Sequence, residues 1–171
     1  MILAKTDDAY RWLKAEFQSR RVYKEYQAIV YGWMKDKRGS INRPIGRSKR
    51  DSRRRSAERG AAGKLRSATT DWELLKQGTY GPGAERFAYL KLVPKTGRTH
   101  QLRAHLKAID RPIVGDGLYA QAPLRAGSNL DLDRLALHAH RLEISLPDSS
   151  KHEFISPLPE ILATAVARIA E

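Results

Sequence analysis

The chain has 171 residues and carries 32 Lys and Arg against 19 Asp and Glu, which gives a formal net charge of +13 at pH 7. It contains no cysteine, which excludes a disulfide scaffold, thiolate metal sites and a cysteine nucleophile. No apolar run approaches the roughly 20 residues of a membrane span, and no signal peptide opens the sequence, so we expect a cytoplasmic protein with no membrane partner. The length suits a single domain over residues 1–171, and the excess positive charge indicates a polyanionic partner, nucleic acid above all.

The positive charge is concentrated in residues 35–67. That segment contains 13 Lys and Arg and three carboxylates, so it holds +10 of the net +13. It has few large apolar residues and several glycines, which predicts a long basic loop or a loosely attached ribbon, inserted into the domain and lying outside its core. Its cations would displace counterions from a phosphate backbone, although a solvated, disordered insertion is the alternative interpretation.

In chain order, the first predicted element is a helix capped by Thr6 and running to about Arg20, with Asp7 and Asp8 in its first turn. Residues 23–31 alternate with the period of two that is typical of a strand. Beyond the basic segment, strands are predicted over residues 69–76 and 87–93, with a Gly-Pro-Gly turn between them.

The second half of the chain predicts a helix over residues 99–109, strands over 135–146 and 153–155, and a C-terminal helix that begins at Pro159. The apolar residues expected to face inward from this last helix are Ile161, Leu162, Val166 and Ile169. Strands and helices do not alternate regularly, which favours an α+β fold with a mostly antiparallel sheet.

The stretch from Pro94 to Leu106 is the most informative part of the sequence. A strand ends there, a turn follows, and a helix begins with Arg98 and His100 beside its first turn and Arg103 one turn later. Helix N-termini attract anions, and an arginine can bind a carboxylate or phosphate through two hydrogen bonds. An amphipathic helix with its polar side in water explains the same pattern, and composition alone slightly favours that interpretation.

The run PKTGRTHQLRAHL at 94–106 resembles the long signature of the RluA family of RNA pseudouridine synthases. Five other blocks resemble the same family in the same order, namely LAKT at 3–6, KEYQAIVYG at 24–32, RPI at 43–45, PIVGD at 112–116 and RLALHA at 134–139. The resemblance therefore extends from about residue 3 to residue 159, and a co-linear series of this kind is far more specific than one block alone.

This resemblance implies a pseudouridine-synthase fold, a mixed and mostly antiparallel sheet flanked by helices. It also implies an enzyme that isomerises uridine to pseudouridine in ribosomal or transfer RNA, without metal or cofactor and as a monomer. In such an enzyme Tyr26 would pack on the flipped base, and Arg103 would pair with the catalytic Asp. The residues we expect to contact RNA are Arg47, Lys49, Arg50, Arg53, Arg54, Arg55, Arg98 and His100.

The sequence departs from the family at its catalytic Asp. In the family that Asp lies in a His-Arg-Leu-Asp block, followed by Thr-Ser-Gly, just before the Leu-Ala-Lys-Thr strand. This chain begins at Met1 inside that strand, and Asp7 and Asp8 open a helix on its wrong side. We therefore expect a coding sequence that extends upstream of Met1, so that the chain given lacks the N-terminal strands and is inactive alone. A genuine but inactive remnant is the other explanation.

The sequence also leaves an alternative function open and bears on metal binding. A non-catalytic RNA-binding protein that uses the same surface, for example in ribosome assembly, is the alternative function. His138 and His140 share one face of a predicted strand, but no third ligand is suitably spaced, so we predict no metal site.

Overall fold

The structure is a computed structural model that describes residues 2–58, 61–121, 129–148 and 150–170. Its elements in chain order are α1 (Asp7–Gln18), β1 (Tyr23–Tyr31), β2 (Arg38–Asn42), β3 (Ile45–Arg47), β4 (Arg55–Ser56), β5 (Ala62–Arg66), β6 (Thr69–Tyr80), β7 (Glu85–Pro94), α2 (Gln101–Ala108), β8 (Leu137–Ser145), β9 (Lys151–Ile155) and α3 (Glu160–Arg168).

The strands form a large sheet in the order β2-β6-β7-β1-β8-β9 and a small sheet in the order β4-β3-β5. Every strand pairing within the described residues is antiparallel. The long hairpin β6–β7 and strand β1 lie at the centre of the large sheet, where Phe87, Leu90 and Leu92 are fully buried. The prediction of an α+β fold with a mostly antiparallel sheet is confirmed.

The strand register places α2 and the predicted base-binding tyrosine on one face of the large sheet. Trp72 pairs with Leu92, and Leu92 pairs with Tyr26, so these three side chains share a face. Helix α2 lies on the same face, because its His105 hydrogen-bonds to Thr70, two residues before Trp72 on β6.

The prediction of a loop outside the core over residues 35–67 is wrong. The segment supplies β2 of the large sheet and all three strands of the small sheet, and Ile41 and Ile45 within it are 4% exposed. The strands here are short, and Ile41 on β2 and Ile45 on β3 are the inward apolar residues that attach the segment to the core. A composition count registers the cations and misses that alternation.

The helices end close to their predicted bounds, with one difference in α3. The Thr6 hydroxyl accepts a hydrogen bond from the backbone N–H of Ala9 at 3.2 Å and so caps α1 as predicted. In α3, Leu162 and Ile169 are buried, but Ile161 is 40% exposed rather than facing inward. Within the described ranges, no helix combines the length and the apolar content needed to cross a bilayer.

Gly78 provides a test of how the C-terminus is attached. Thr79 and Ala170 exchange two backbone hydrogen bonds of 2.8 and 2.9 Å, and a Cβ on Gly78 would stand 1.8 Å from the Ala170 carbonyl oxygen. We predict that Gly78→Ala lowers the free energy of unfolding by about 2 kcal/mol, because the segment after α3 must move away. In the control Gly97→Ala the new Cβ meets nothing within 4 Å, and we expect a change within about 0.5 kcal/mol. Equal urea-unfolding midpoints for the two variants would contradict this attachment.

Candidate active site

A chain of buried hydrogen bonds fixes α2 on the large sheet. The Thr96 hydroxyl donates to the side-chain oxygen Oε1 of Gln101 at 2.7 Å, and the side-chain nitrogen Nε2 of Gln101 donates to the Thr70 hydroxyl at 3.0 Å. The Thr70 hydroxyl then donates to Nδ1 of His105 at 2.9 Å, and Nε2 of His105 donates to the Arg43 carbonyl at 3.0 Å. The Arg43 carbonyl can only accept, so Nε2 of His105 carries a proton, and in the neutral ring Nδ1 accepts from the Thr70 hydroxyl.

This network makes His105 a structural residue. The orientation of the Gln101 amide is set independently, because its oxygen accepts from the Arg98 backbone N–H and its nitrogen donates to the Thr69 carbonyl. Burial favours the neutral form of His105, and its proton then lies on Nε2, where it is donated to the Arg43 carbonyl. It is fully buried, and burial lowers the pKa of its imidazole.

Arg103 lies on α2 and is paired with Asp116, the last residue of the PIVGD block. The Nε and Nη2 atoms of Arg103 donate to the two carboxylate oxygens of Asp116 at 2.8 and 2.6 Å. The backbone N–H groups of Leu118 and Tyr119 donate to the same carboxylate at 3.0 and 2.9 Å. The guanidinium also lies over the Tyr119 ring, with its central carbon 4.7 Å from the ring centroid.

The charges of this pair are stable at neutral pH. Burial alone would raise the pKa of Asp116, but the hydrogen bonds and charge of Arg103, together with the backbone N–H of Tyr119, bring that pKa below its ordinary value. The hydrogen bond to Asp116 in turn raises the pKa of Arg103. Asp116 is 1% exposed, so this is a buried carboxylate whose charge is balanced by one fixed guanidinium.

His100 completes the polar cluster but has no free ring nitrogen. Arg103 can only donate, so the 3.4 Å contact from its Nη1 makes Nε2 of His100 the acceptor. The proton therefore sits on Nδ1 and is donated to the Tyr119 oxygen at 3.2 Å, which also accepts the Arg55 backbone N–H at 2.8 Å. Burial, and then the charge of Arg103, lower the pKa of His100.

Tyr26 lines an open cavity of about 700 Å³ between α1 and strands β1, β8 and β9. Apolar side chains dominate its wall, among them Leu13, Phe17, Leu142 and Phe154. Burial raises the pKa of the Tyr26 phenol, so this hydroxyl is protonated at neutral pH. A largely apolar wall that includes the neutral hydroxyl of Tyr26 suits a planar, uncharged ring such as a nucleobase.

Tyr26 and Arg103 share a sheet face but are not in contact. Arg103 is not among the described residues that line the Tyr26 cavity. Helix α1 borders that cavity, whereas α2 covers the β6–β7 side of the same face. Glu143, in a His-Arg-Leu-Glu run, does not line it either, and Glu143 is ion-paired with Arg141. In the described ranges, no group of three or more His, Asp and Glu side chains could hold a metal.

The structure does not bring together all of the residues predicted to contact RNA, and His100 belongs to the Arg103 cluster described above. Arg53 and Arg54 are ion-paired with Asp51, at 2.8 and 3.4 Å, and the hydrogen bonds from Arg53 lower the pKa of Asp51 to about 2. Arg47, Arg55 and Arg98 instead line a second cavity between the small sheet and the turn before α2. Lys49 and Arg50 lie in the connection between β3 and β4.

Sequence reasoning missed Tyr119 and the full role of Asp116. A signal was present, because Asp116 precedes a turn whose next N–H groups an Asp side chain commonly caps. The ring of Tyr119 three residues later gave no signal of its own, since its contacts with Arg103, His100 and Arg55 depend on tertiary structure.

The pair predicts a pH-dependent stability. Because the pKa of Asp116 is depressed in the folded chain, its charge stabilises the fold above about pH 4, the ordinary unfolded-state value, and that contribution disappears as the pH falls through the folded-state pKa. Asp116→Asn should lower the free energy of unfolding by about 3 kcal/mol at pH 7, since it leaves Arg103 without its buried partner.

Urea unfolding of both proteins between pH 2 and 7 measures this difference, which should shrink steadily below about pH 4. The control Asp36→Asn removes an exposed carboxylate and should change the stability by no more than about 0.5 kcal/mol. A difference between Asp116→Asn and the wild type that stays constant across the whole pH range would show that the ionised pair does not stabilise the fold.

Comparison with known proteins identifies a family. Residues 1–108 match the family described as RNA pseudouridylate synthase. An uncharacterized RNA pseudouridine synthase of Chloroflexus aurantiacus is 37% identical over 172 residues, covering 100% of this chain and 50% of the relative. A ribosomal large subunit pseudouridine synthase D of Borreliella burgdorferi is 36% identical over 160 residues, covering 94% of this chain and 45% of the relative.

The fold agrees with that result. The structure of human RNA pseudouridylate synthase domain containing 1 superposes with a TM-score of 0.80 at 30% identity, covering 94% of this chain and 66% of that one. The chain spans about half the length of the curated relatives it matches. The resemblance to RluA-type enzymes and the predicted pseudouridine-synthase fold are confirmed, and the chain belongs to the RNA pseudouridylate synthase family.

Proposed function

We propose that the polypeptide containing these residues isomerises uridine to pseudouridine in RNA. The observation that carries the proposal is a neutral tyrosine in a largely apolar cavity on one face of the large sheet, together with an arginine that a buried carboxylate fixes on α2, the helix on that same face. The reaction breaks the N-glycosidic bond, turns the uracil, joins its C5 to the ribose and releases the C5 proton. None of these steps calls for a redox group.

Tyr26 is proposed to hold the uracil. A uridine must leave its stack to react, which costs a few kcal/mol, and an apolar wall that packs on the base offsets part of that cost. The cavity at Tyr26 has such a wall in Leu13, Phe17 and Leu142. The neutral phenol adds a hydrogen-bonding group without adding charge beside the base.

Arg103 is proposed to hold the catalytic carboxylate ionised. A guanidinium has five N–H donors, and Asp116 takes two of them while His100 accepts weakly from a third. Two donors on the Nη1 and Nη2 side therefore remain for a second carboxylate. Such a pairing would keep a carboxylate nucleophilic in an apolar pocket.

The second carboxylate has no counterpart among these 171 residues that fits the family's Asp block. We therefore propose that residues outside this sequence supply it and that the 171-residue chain is inactive alone. Ribosomal RNA is the preferred substrate class, because the Borreliella burgdorferi relative is named a ribosomal large subunit enzyme, and transfer RNA is the second. A monomer acting in the cytoplasm is part of the same proposal.

The alternative is a non-catalytic RNA-binding protein on the same fold. It is favoured by one specific observation, namely that Asp116 is the carboxylate paired with Arg103 in the described part of the chain. A chromosomal experiment separates the two functions, because it uses the gene product as the host makes it.

Deleting the gene in its host and mapping pseudouridine in ribosomal and transfer RNA should remove modification at one site or a few sites. A chromosomal copy with Arg103→Ala should restore less than about 1% of the modification, because the catalytic carboxylate would lose its partner. Arg103→Lys should restore little more, since Lys lacks the two-pronged geometry. Tyr26→Phe, which keeps the ring and removes the hydroxyl, separates base packing from hydrogen bonding.

The control is Arg20→Ala, at an exposed residue beyond the end of α1, which should restore full modification. An unchanged pseudouridine map in the deletion strain would reject the enzyme and leave the RNA-binding alternative. The purified 171-residue chain should release no tritium from RNA containing 5-tritiated uridine, and release of tritium by that chain would show that it already holds its nucleophile.

A further inference from the structure

A second cavity, distinct from the one at Tyr26, is enclosed by cations. It has a volume of about 440 Å³ and lies between the small sheet and the turn that precedes α2. No Asp or Glu is found among the described residues that line it. Its five cationic side chains come from β3, β4, β5 and the turn, and they are Arg47, Arg55, Lys64, Arg66 and Arg98.

The arrangement of these cations costs free energy in the absence of an anion. The register of the small sheet places Arg47 directly opposite Arg55, and like charges facing each other across a strand pair are destabilising. Asp51, the carboxylate in the connection from β3 to β4, is already paired with Arg53 and Arg54.

None of the five cavity cations has an ion-pair partner among the described residues. Single unpaired cations also occur elsewhere on the chain, but these five share one cavity whose described lining contains no carboxylate. Their combined positive charge would therefore attract an anion from outside the chain.

The cavity also has room for that counterion. Added Cβ atoms on Gly63 and Gly97, both in its wall, would meet nothing within 4 Å. Arg98 is held in place by a hydrogen bond from its Nε to the Ser67 carbonyl at 3.1 Å, which leaves both of its terminal nitrogens available. A phosphate group in the cavity could therefore be bound by the fixed Arg98 together with the other cations that line it.

The cavity is linked to the proposed active site through Arg55. Its side chain lines the cavity, while its backbone N–H donates to the Tyr119 oxygen, and the Tyr119 ring stacks on Arg103. A polyanion bound in the cavity would therefore lie next to the polar cluster of α2.

We infer that this five-cation cavity binds backbone phosphates of the RNA substrate and supplies most of the electrostatic affinity of the chain for RNA. The inference rests on the proposed function for the identity of the polyanion. It separates the predicted RNA-binding residues, because Asp51 offsets one of the two positive charges of Arg53 and Arg54, whereas the cavity cations have no such partner among the described residues. It also adds Lys64 and Arg66, which the sequence did not single out.

The test measures binding of a fluorescent, uridine-containing RNA stem–loop to the 171-residue chain by anisotropy, over a series of KCl concentrations. The variant Arg47→Gln/Lys64→Gln/Arg66→Gln is compared with Lys35→Gln/Lys37→Gln/Lys151→Gln. Both variants lose three positive charges, and Lys35 and Lys37 belong to the same basic segment but lie outside the cavity. The difference between them therefore reports position rather than net charge.

We expect the cavity variant to bind at least about tenfold more weakly near 0.1 M KCl, with a salt slope reduced by about 2 to 3, since each of the three lost phosphate contacts removes about 0.7 to 0.9. The control should stay within about twofold of wild type, with an unchanged slope. A stem–loop with uncharged methylphosphonate linkages should bind both variants equally. Circular dichroism confirms folding, and the single exposed variant Lys64→Gln, expected to bind about threefold more weakly, carries the test if the triple variant unfolds.

Equal weakening of the two triple variants would show that only net charge matters and would overturn the inference. So would wild-type affinity in the cavity variant, or an absence of RNA binding by the wild-type chain. In each of these cases the pseudouridine map of the deletion strain still decides the proposed function separately.

Discussion

The ion pair between Arg103 and Asp116 is the contact on which the organisation of the proposed site depends. It joins α2 to the turn after residue 112 through two hydrogen bonds, and two backbone N–H groups hold the carboxylate from its other side. Tyr119, placed by the same turn, stacks on the guanidinium and extends the contact to His100 and to the small sheet. Loss of Asp116 would therefore weaken the position of Arg103, of the Tyr119 ring and of the contact from Tyr119 to the small sheet.

Helix α2 uses its two sides differently. On the sheet side every polar group is neutral and its proton is assigned, with Gln101 and His105 joined to Thr70 in a buried chain. On the other side Arg103 is charged and balanced by a carboxylate. A neutral, fully hydrogen-bonded network between α2 and the sheet stabilises the helix position without burying a charge. The charged groups of the proposed site then lie on the other side of the helix. The same division explains why a histidine sits at each end of the run HQLRAH with no catalytic role required of either.

Much of the fold could be predicted from local patterns, and little of the site's tertiary geometry could. The period of two over residues 23–31 and the Thr6 cap are local signals, and β1 and α1 lie where those signals place them. The basic segment was misread because charge and glycine content conceal single inward residues such as Ile41 and Ile45. Arg103 and Tyr26 were found by resemblance, whereas the capture of Arg103 by Asp116, 13 residues later, depends on how the turn folds back on α2. Likewise, the convergence of five cations is set by strand register, which composition does not encode.

A crystal structure of the 171-residue chain with a short uridine-containing RNA would test most directly whether Tyr26 holds the base and Asp116 holds Arg103. The account predicts that an unstacked uracil lies against Tyr26 while Arg103 remains on Asp116. A base that stacks elsewhere, with the Tyr26 cavity empty, would contradict it. So would a complex in which Arg103 leaves Asp116 to bind the RNA itself, because a fixed guanidinium could not then be the partner of a catalytic carboxylate.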